Sequence, residues 1–412
     1  MAKRVFWVGL LFVVQLALGW CWWTPPVQAL TQEQQLFSQA WRIVNYAYLD
    51  ETFNHQNWWF VRQRALKKPL KNREETYEEI RNMLASLDDP FTRLLTPDRY
   101  RSLQVNTSGE LTGVGVQIAL DEQTDTIAVV APIDGSPADA AGLQPRDRIL
   151  EIDGLSTVGL SLDDAAARMR GEVGTSVTLK VQRYESEAIE NINIKRERIA
   201  LNPVVAQLQT TPDGVKVGYI RLSQFNANAT AEIAQAVNDF EAQGADRYIL
   251  DLRSNPGGLL QAGIEVARLW LNEGAIVYTV NRQGILGSFD ATGEALTDDP
   301  LVVLVDRGTA SASEILAGAL QDNGRALLVG ETTFGKGLIQ SLFDLSDGSG
   351  LAVTVAKYET PNHRDINKNG IVPDKVVPLD SISRKELATI ADRQYQAALE
   401  LLSQPAVLAD AG

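Results

Sequence analysis

The hydrophobic pattern of this chain changes its period twice, which excludes one uniform layer of helices or strands. Helical spacing of apolar residues runs from residue 31 to about 100, at Leu36, Ala40, Ile43, Val44 and Ala47 and again at Tyr77, Ile80, Met83, Leu84 and Leu87. Short strands and turns follow from about 103 to 187, and strands alternate with helices from 188 to about 380. We therefore predict an α+β protein of several domains.

Length and charge narrow the class of protein. With 412 residues the chain is too long for one compact core. Its formal net charge is −14, and no basic stripe is visible in the sequence. Because an acidic surface repels phosphate backbones, we predict no binding to nucleic acid.

Cysteine and histidine are too scarce for several kinds of catalytic site. The one cysteine, Cys21, lies in the N-terminal apolar run, and the two histidines are His55 and His363. Neither histidine belongs to a metal-ligand spacing. The sequence therefore implies no metal, no organic cofactor and no cysteine nucleophile, so a hydrolase built from this chain has to work without clustered histidines.

Residues 1–29 have the pattern of an export signal. Lys3 and Arg4 give a basic start, an apolar run covers residues 5–23, and Ala29 is the small residue of a cleavage site. An uncleaved membrane anchor is the alternative, because the apolar run approaches the length that spans a bilayer. We predict a cleaved signal and an exported protein.

The segment 103–187 has a characteristic order of elements. The segment begins with a glycine-rich loop (111–116), a capped helix (135–143) and a strand with a turn (148–154). A second helix (162–169) and an alternating strand (176–182) follow. This order resembles a PDZ domain. The resemblance implies that the loop binds the terminal carboxylate of a peptide through Gly113, Val114, Gly115 and Val116. An ordinary glycine-rich hairpin is the alternative for the loop alone.

The next segment is predicted to form a mixed α/β core. Its strand candidates are Val217–Leu222, Tyr248–Leu252, Leu301–Val305 and Leu351–Val355. Its helix candidates are Thr230–Ala242 and Leu259–Leu271. A last helical stretch is predicted from Arg384 to Leu402. We predict a signal peptide at 1–29, a helical domain at 30–102 and a PDZ domain at 103–187. The α/β core follows at 188–380, and a C-terminal helix with its tail at 381–412.

Three clusters in the α/β segment carry the candidate chemistry: DLRSNPGG at 251–258, GTASASEI at 308–315 and TFGKGLIQ at 333–340. A serine nucleophile needs a positioned base, and with so few histidines a buried, neutral lysine is the candidate. Lys336 lies between two glycines and among apolar residues, which favours its burial. If 336–340 is a strand, Gln340 points to the same face and could hold the lysine amine.

Ser311 lies where a helix is predicted to begin, so free backbone N–H groups surround it. The N–H groups of Ala312 and Gly257 are the candidates for stabilising an oxyanion. Each cluster alone has a simpler interpretation. Ser-Ala-Ser-Glu is an ordinary helix cap, and Phe-Gly-Lys-Gly fits a hairpin, or a phosphate loop without the Walker A spacing.

Together with DPFTRLL at 89–95 and the PDZ segment, these clusters make the chain resemble the carboxyl-terminal processing proteases over essentially its whole mature length. Those proteins are serine peptidases with a Ser–Lys centre and, by resemblance, imply a crotonase-like peptidase core here. Their nucleophile precedes the lysine by 25 positions, which implies Ser311 rather than Ser313 as nucleophile and Lys336 as general base. The resemblance further implies that Gln340 positions the lysine and that Gly257 belongs to the oxyanion hole. It also implies that Asp322 gives structural support and that Arg170 couples peptide capture to the site. Asp306 departs from the asparagine of many members.

Within that family, residues 41–59 and the catalytic clusters look most like the cyanobacterial and chloroplast branch. That branch removes a C-terminal extension from PsbA, a photosystem II reaction-centre subunit, which permits assembly of the manganese cluster. The resemblance implies a protease of the thylakoid lumen or periplasm that binds the tail of the PsbA precursor and contacts the thylakoid membrane peripherally. A general quality-control protease and a non-catalytic PDZ chaperone are the alternatives.

Overall fold

The computed structural model describes residues 30–404, apart from residues 122–125, 134, 185 and 379–383. The predicted export signal therefore lies outside the described residues. Within the described part of the chain, no helix combines the length and hydropathy needed to cross a bilayer.

Three helices open the described chain: α1 (Gln32–Ala47), α2 (Trp58–Leu66) and α3 (Arg73–Ala85). α1 begins at a capping box in which Thr31 and Gln34 bond each other's backbone N–H groups. The apolar faces of the helices share one core with Leu345, Leu351 and Val353, which come much later in the chain. The helical module therefore packs against residues of the α/β segment.

The next elements form the segment that resembles a PDZ domain and its connection to the helices. Their bounds are β1 (Arg93–Leu95), α4 (Pro97–Ser108), β2 (Glu110–Gly113), β3 (Val116–Asp121), β4 (Thr126–Pro132), α5 (Pro137–Ala140), β5 (Arg148–Ile152), β6 (Leu155–Ser156), α6 (Leu162–Met169), β7 (Ser176–Gln182), β8 (Ile189–Lys195) and β9 (Glu197–Ala200). β3, β4, β5, β7 and β8 form an antiparallel sheet in that order, with β6 on β5, and β2 pairs separately with β9. Alternating apolar residues of the sheet pack under the helices in a core of their own.

The remaining elements build the α/β core. They are β10 (Val204–Thr210), β11 (Lys216–Leu222), α7 (Ala229–Ala242), β12 (Arg247–Asp251), α8 (Leu260–Arg268), β13 (Ala275–Asn281), β14 (Gly284–Asp290), β15 (Leu301–Val305), α9 (Ala312–Asp322), β16 (Ala326–Gly330), β17 (Leu338–Asp344), β18 (Gly350–Glu359), β19 (Lys375–Val376) and α10 (Arg393–Leu402). The main sheet has the order β10-β11-β12-β15-β16-β19 and is parallel except for β10.

Strand residues of the main sheet alternate between two apolar layers. α7, α8 and α9 cover one face, where they contact Ile220 and Leu250, and α10 covers the other, where it contacts Val217 and Ile249. Because the strands are parallel, their carboxyl ends meet at one edge, and the loops after β12 and β15 leave the sheet there side by side.

A second, antiparallel sheet joins the helical module to the core. β18 lies at its centre, pairs with β1, β13 and β17, and so brings the residues just after Asp89-Pro90 next to the loop that precedes β17. This sheet positions the third cluster of the sequence beside the first two.

The predicted strands and helices of the α/β segment are present within a few residues of their expected ends. The predicted helix from Arg384 is wrong in its first part, since only a 3₁₀ turn occupies Arg384–Glu386 and α10 begins at Arg393. The condition that 336–340 forms a strand also fails, because β17 begins at Leu338 and leaves Lys336 in a loop. The hairpin β13–β14 and the strand β16 carry too little alternation to have been predicted.

Candidate active site

Ser311 lies at the amino end of α9, just after the carboxyl end of β15. Its backbone has φ 59° and ψ −118°, a conformation that side-chain-bearing residues rarely adopt. The strain is held in place by the loop before it, where Ala310 N–H donates to Asn255 O over 3.0 Å. A sharp strand-to-helix turn of this kind presents a hydroxyl at the edge of the sheet.

Gly257 lies directly against this turn. A Cβ added to Gly257 would be 2.6 Å from Ala310 O and 2.9 Å from both Ala312 N and Ser311 Cβ, and its φ is +91°. Any other residue would therefore separate the two loops. Both predicted oxyanion residues thus lie beside Ser311.

The two predicted oxyanion donors differ in their present partners. Ala312 N–H, in the first turn of α9, donates to no residue that the structure describes. Gly257 N–H donates to the Asn255 side-chain oxygen over 2.9 Å. One donor is available, and the second has to exchange its partner before it can bind substrate.

Glu314 connects the serine turn to the lysine loop, and the sequence analysis missed this role. The side chain is fully buried. Its Oε2 accepts from Ser311 N–H and from Lys336 N–H, each over 2.9 Å, and its Oε1 accepts from Gly335 N–H over 2.7 Å and from the Thr333 hydroxyl over 2.5 Å. A glutamate three residues after a helix cap is a recognisable capping signal. The bonds that Glu314 accepts from the lysine loop, however, depend on the tertiary fold.

Tyr358 of β18 makes a second connection between the same segments. Its hydroxyl donates to Lys336 O over 2.6 Å and also lies 3.0 Å from Ser311 O. Burial raises the pKa of Tyr358, and the charge of Glu314 raises it further, so the hydroxyl stays protonated and remains a donor. Glu314 thus accepts hydrogen bonds from the backbone N–H groups of residues 311 and 336, and the Tyr358 hydroxyl contacts their backbone carbonyl oxygens.

The Lys336 side chain lies in surroundings that favour its neutral form. Burial lowers the pKa of the amine, and the positive charge of Arg93 lowers it further, against the opposing charges of Glu314 and Asp89. Lys336 Nζ lies 5.2 Å from the centroid of the Phe91 ring. Among the described residues it has no hydrogen bond or ion pair, and none joins it to Ser311 Oγ. The backbones of the two residues are therefore held together, while their side chains are not hydrogen-bonded to each other.

Gln340 does not contact the lysine amine in this arrangement. It lies on β17, and its side-chain amide is 3.5 Å from the Thr354 hydroxyl on the neighbouring strand. The predicted contact between Gln340 and the lysine amine required both residues to lie in one strand, on the same face. The strand β17 begins only at Leu338, so Lys336 lies outside it.

Asp322 and Asp306 both stabilise loops. Asp322, at the end of α9, pairs with Arg364 and accepts from Asn362 N–H over 3.0 Å, which is consistent with the supporting role expected of it. Asp306 is buried and accepts from Ser254 N–H over 2.8 Å and from Gly308 N–H over 2.9 Å. The aspartate at this position therefore accepts from backbone donors of both loops.

The predicted peptide-binding loop of the PDZ domain is shaped for close backbone approach. Gly115 has φ +78°, and a Cβ there would be 2.4 Å from Ser136 Cβ. The N–H groups of Val114 and Gly115 donate to none of the residues described. Arg170, at the end of α6, packs against Gly113, where an added Cβ would be 3.4 Å from Arg170 Cα. Unpaired N–H groups and a nearby arginine suit a carboxylate.

Comparison with known proteins assigns the family. Two family models match, Peptidase family S41 at residues 216–377 and the PDZ domain at residues 129–183. The carboxyl-terminal-processing protease of Synechocystis sp. is 61% identical over 405 residues, which cover 98% of this chain and 95% of that protein. The chain belongs to peptidase family S41. This S41 protease is a serine peptidase of the carboxyl-terminal-processing type.

Further relatives of the S41 protease come from chloroplasts. The C-terminal processing peptidase of Tetradesmus obliquus is 44% identical over 373 residues, which cover 86% of this chain and 80% of that protein. The solved structure of a photosystem II D1 C-terminal processing protease matches with a TM-score of 0.56 and 43% identity, over 84% of this chain and 94% of that one. The predicted family, fold class and serine peptidase activity are confirmed.

A cavity of the S41 protease opens beside the lysine loop. It has a volume of about 630 Å³ and lies between the helical module and the core. Its walls combine apolar rings and side chains with carboxylates at the rim, including Pro90, Phe91, Phe334, Leu338, Asp50 and Asp88. A cavity of this size beside the lysine loop is large enough to hold substrate side chains.

Arg253 of the first cluster anchors the catalytic edge of the sheet in the S41 protease. Its guanidinium donates to Asp251 over 2.6 Å and to Asp392 over 2.8 Å, and all three side chains are buried. Burial would lower the pKa of Arg253, but the two carboxylates outweigh it and raise the pKa. The turn that carries Gly257 is therefore fixed to α10 by a charge network.

Proposed function

We propose that the S41 protease removes the C-terminal extension of the PsbA precursor of photosystem II, which allows the oxygen-evolving manganese cluster to assemble. The proposal is supported by the 43% identity to a photosystem II D1 C-terminal processing protease over most of both chains. The export pattern of residues 1–29 supports a site of action in the thylakoid lumen or periplasm of a cyanobacterium-like cell, after cleavage of the signal. Peripheral contact with the membrane follows from that location.

Ser311 is the proposed nucleophile and Lys336 the proposed general base. The neutral amine accepts the proton of the Ser311 hydroxyl as Oγ bonds to the carbonyl carbon of the scissile peptide. The ammonium then gives that proton to the departing amine, and a water molecule, deprotonated by the same amine, releases the acyl group. The geometry that carries this assignment is the shared Glu314 carboxylate, since it keeps the two segments adjacent.

Ala312 N–H and Gly257 N–H are proposed to bind the oxyanion, and Gln340 is proposed to hold the amine during turnover. Two local changes are then required: Gly257 N–H leaves Asn255, and the amine approaches Ser311 Oγ. Substrate binding supplies the free energy for both. We assign capture of the substrate tail to Gly113, Val114, Gly115 and Val116 of the PDZ loop, and the coupling between capture and alignment to Arg170.

Mass spectrometry of products tests the function directly. The exported chain is incubated with a PsbA C-terminal peptide in competition with unrelated tails of equal length. Preferential cleavage of the PsbA peptide at one bond is the expected result. Equal cleavage of all tails would replace the proposal with a general quality-control protease, and binding without cleavage would replace it with a PDZ chaperone.

A further inference from the structure

Helix α2 exposes aromatic and basic side chains on one surface. Trp59 and Phe60 are 53% and 61% exposed, and Arg64 and Lys67 follow them on the exposed side at helical spacing. We call this surface, formed by those four residues, the α2 face. Large aromatic rings next to cations are the composition that binds at a membrane–water interface.

A pocket next to the α2 face contains polar atoms without partners. It has a volume of about 460 Å³ and is lined by Arg42, Arg62, Ser38 and Ser346, with Leu30 and Gln35 at its edge. Ser38 is only 5% exposed, and its Oγ is buried without a hydrogen-bond partner, as is Arg62 Nε. Buried polar groups are almost always paired, so a polar ligand in this pocket would supply partners that the described residues do not.

Arg62 connects the pocket to the α2 face. Its guanidinium carbon lies 5.4 Å from the ring centroids of both Trp41 and Trp59, so both indoles contact the cation. An anion bound to Arg62 would therefore lie beside exposed Trp59. The pocket and the α2 face form one continuous surface.

The charges of this surface oppose those of the rest of the protein. The chain has a net charge of −14. Over the described residues, no ion pair involves the four cations of the α2 face and its pocket: Arg42, Arg62, Arg64 and Lys67. A cluster of unpaired cations with two guanidinium groups in one pocket is complementary to phosphate or sulfonate groups.

The position of the pocket along the chain points to a lipid source for these groups. Leu30 lines the pocket and follows the apolar run of residues 5–23 by seven residues. Seven residues reach at most about 25 Å when extended. As long as the predicted signal is attached and inserted in a bilayer, Leu30 is therefore within that distance of its surface.

We propose that the α2 face and its pocket dock the S41 protease on an anionic lipid surface, with one phosphate or sulfonate headgroup bound between Arg42 and Arg62. The aromatic pair Trp59 and Phe60 enters the interfacial layer, and Arg64 and Lys67 contact neighbouring headgroups. The inference does not depend on proteolysis. It adds a membrane-binding surface to an enzyme whose proposed substrate is a membrane protein.

Vesicle sedimentation tests the proposal with the exported chain that begins at Leu30. We expect binding to phosphatidylcholine vesicles that contain one-third phosphatidylglycerol and at least tenfold weaker binding to pure phosphatidylcholine. Arg42→Gln is expected to weaken binding about fivefold, as the loss of one cation at an anionic surface does. Trp59→Ser with Phe60→Ser should weaken it further.

Lys195→Gln is the matched control, because it removes one exposed positive charge from the PDZ domain, away from this surface. It should bind anionic vesicles like the unmodified chain, and all variants should cleave a soluble peptide at the normal rate. Equal loss in Lys195→Gln, or equal sedimentation with both kinds of vesicle, would overturn the proposal. So would a thermal shift with inorganic phosphate in the absence of vesicle binding, which would indicate a free-anion site, or dimerisation through the α2 face in sedimentation velocity. Failure to cleave peptides with intact vesicle binding would count against the proposed function alone.

Discussion

The backbone N–H groups of Ser311 and Lys336 donate to the same carboxylate oxygen, Glu314 Oε2, over 2.9 Å each. Residues 25 positions apart are thereby held as one unit. Because the Glu314 side chain is fully buried and its two oxygens accept four hydrogen bonds, the turn and the loop cannot separate without leaving a buried charge unpaired. The backbone of the candidate active site is thus preorganised, while the two side chains remain free to approach.

Ser311→Ala is expected to lower the rate of peptide cleavage by at least about a thousandfold, because the nucleophile is lost. Tail binding should remain, since the PDZ loop is untouched. Ser313→Ala is the matched control: the Ser313 hydroxyl is buried and donates to Asn255 O over 3.0 Å, so its loss affects stability more than chemistry. A cleavage assay in which Ser313→Ala is the inactive variant would move the nucleophile to residue 313.

The cleavage rate at low substrate concentration should rise with pH as Lys336 loses its proton. Burial and Arg93 lower the pKa of this amine, so the midpoint should lie below that of an exposed lysine. The measurement is kcat/KM of a peptide without titratable groups, from neutral to alkaline pH. A rate that is flat over this range would exclude the lysine as base.

Glu314→Gln tests the positioning role of the shared carboxylate. An amide has one acceptor oxygen where the carboxylate has two, so the alignment of the two segments is disturbed and kcat should fall by about a hundredfold. Loss of the Glu314 charge, which raises the pKa of Lys336, should also move the midpoint of the pH profile to lower pH. A lower kcat with an unchanged midpoint would reduce Glu314 to a structural residue.

Lys336→Met should stabilise the protein while it abolishes cleavage. The pKa of Lys336 is lower in the folded chain than in the unfolded chain, because burial and Arg93 disfavour the ammonium. At neutral pH the charged amine therefore opposes folding, by about 1.4 kcal/mol for every tenfold decrease in its proton affinity. That penalty disappears as pH rises through the folded pKa toward the unfolded one. Urea unfolding should show the variant more stable at pH 7 and the difference shrinking in alkaline solution, and a destabilised variant at pH 7 would contradict the lowered pKa.

Arg170→Ala tests the coupling between the PDZ domain and the site. We expect weaker binding of the substrate tail and slower cleavage of tailed substrates, because the arginine packs against Gly113 of the carboxylate loop. Arg168→Ala, in the last turn of the same helix, is the comparison variant. Unchanged tail affinity and unchanged cleavage in Arg170→Ala would remove the coupling from the mechanism.

The sequence alone determined the class of the protein and the identity of its candidate reactive residues. Periodicity separated the helical, strand-rich and α/β segments because burial of an apolar face imposes a local repeat on each element. The scarcity of histidine favoured a lysine base, and the resemblance to the carboxyl-terminal processing proteases implied Ser311 and Lys336 as the candidate pair.

Tertiary structure alone decided how those residues meet. Glu314 and Tyr358 form hydrogen bonds with backbone groups that are far away in sequence. Such contacts produce no periodic pattern or motif spacing from which they could be predicted. The strand β18 pairs with the strand that carries Arg93, and burial together with the charge of Arg93 lowers the pKa of Lys336. Local patterns specify elements, but the electrostatic environment of a side chain is the sum of everything that the folded chain brings near it.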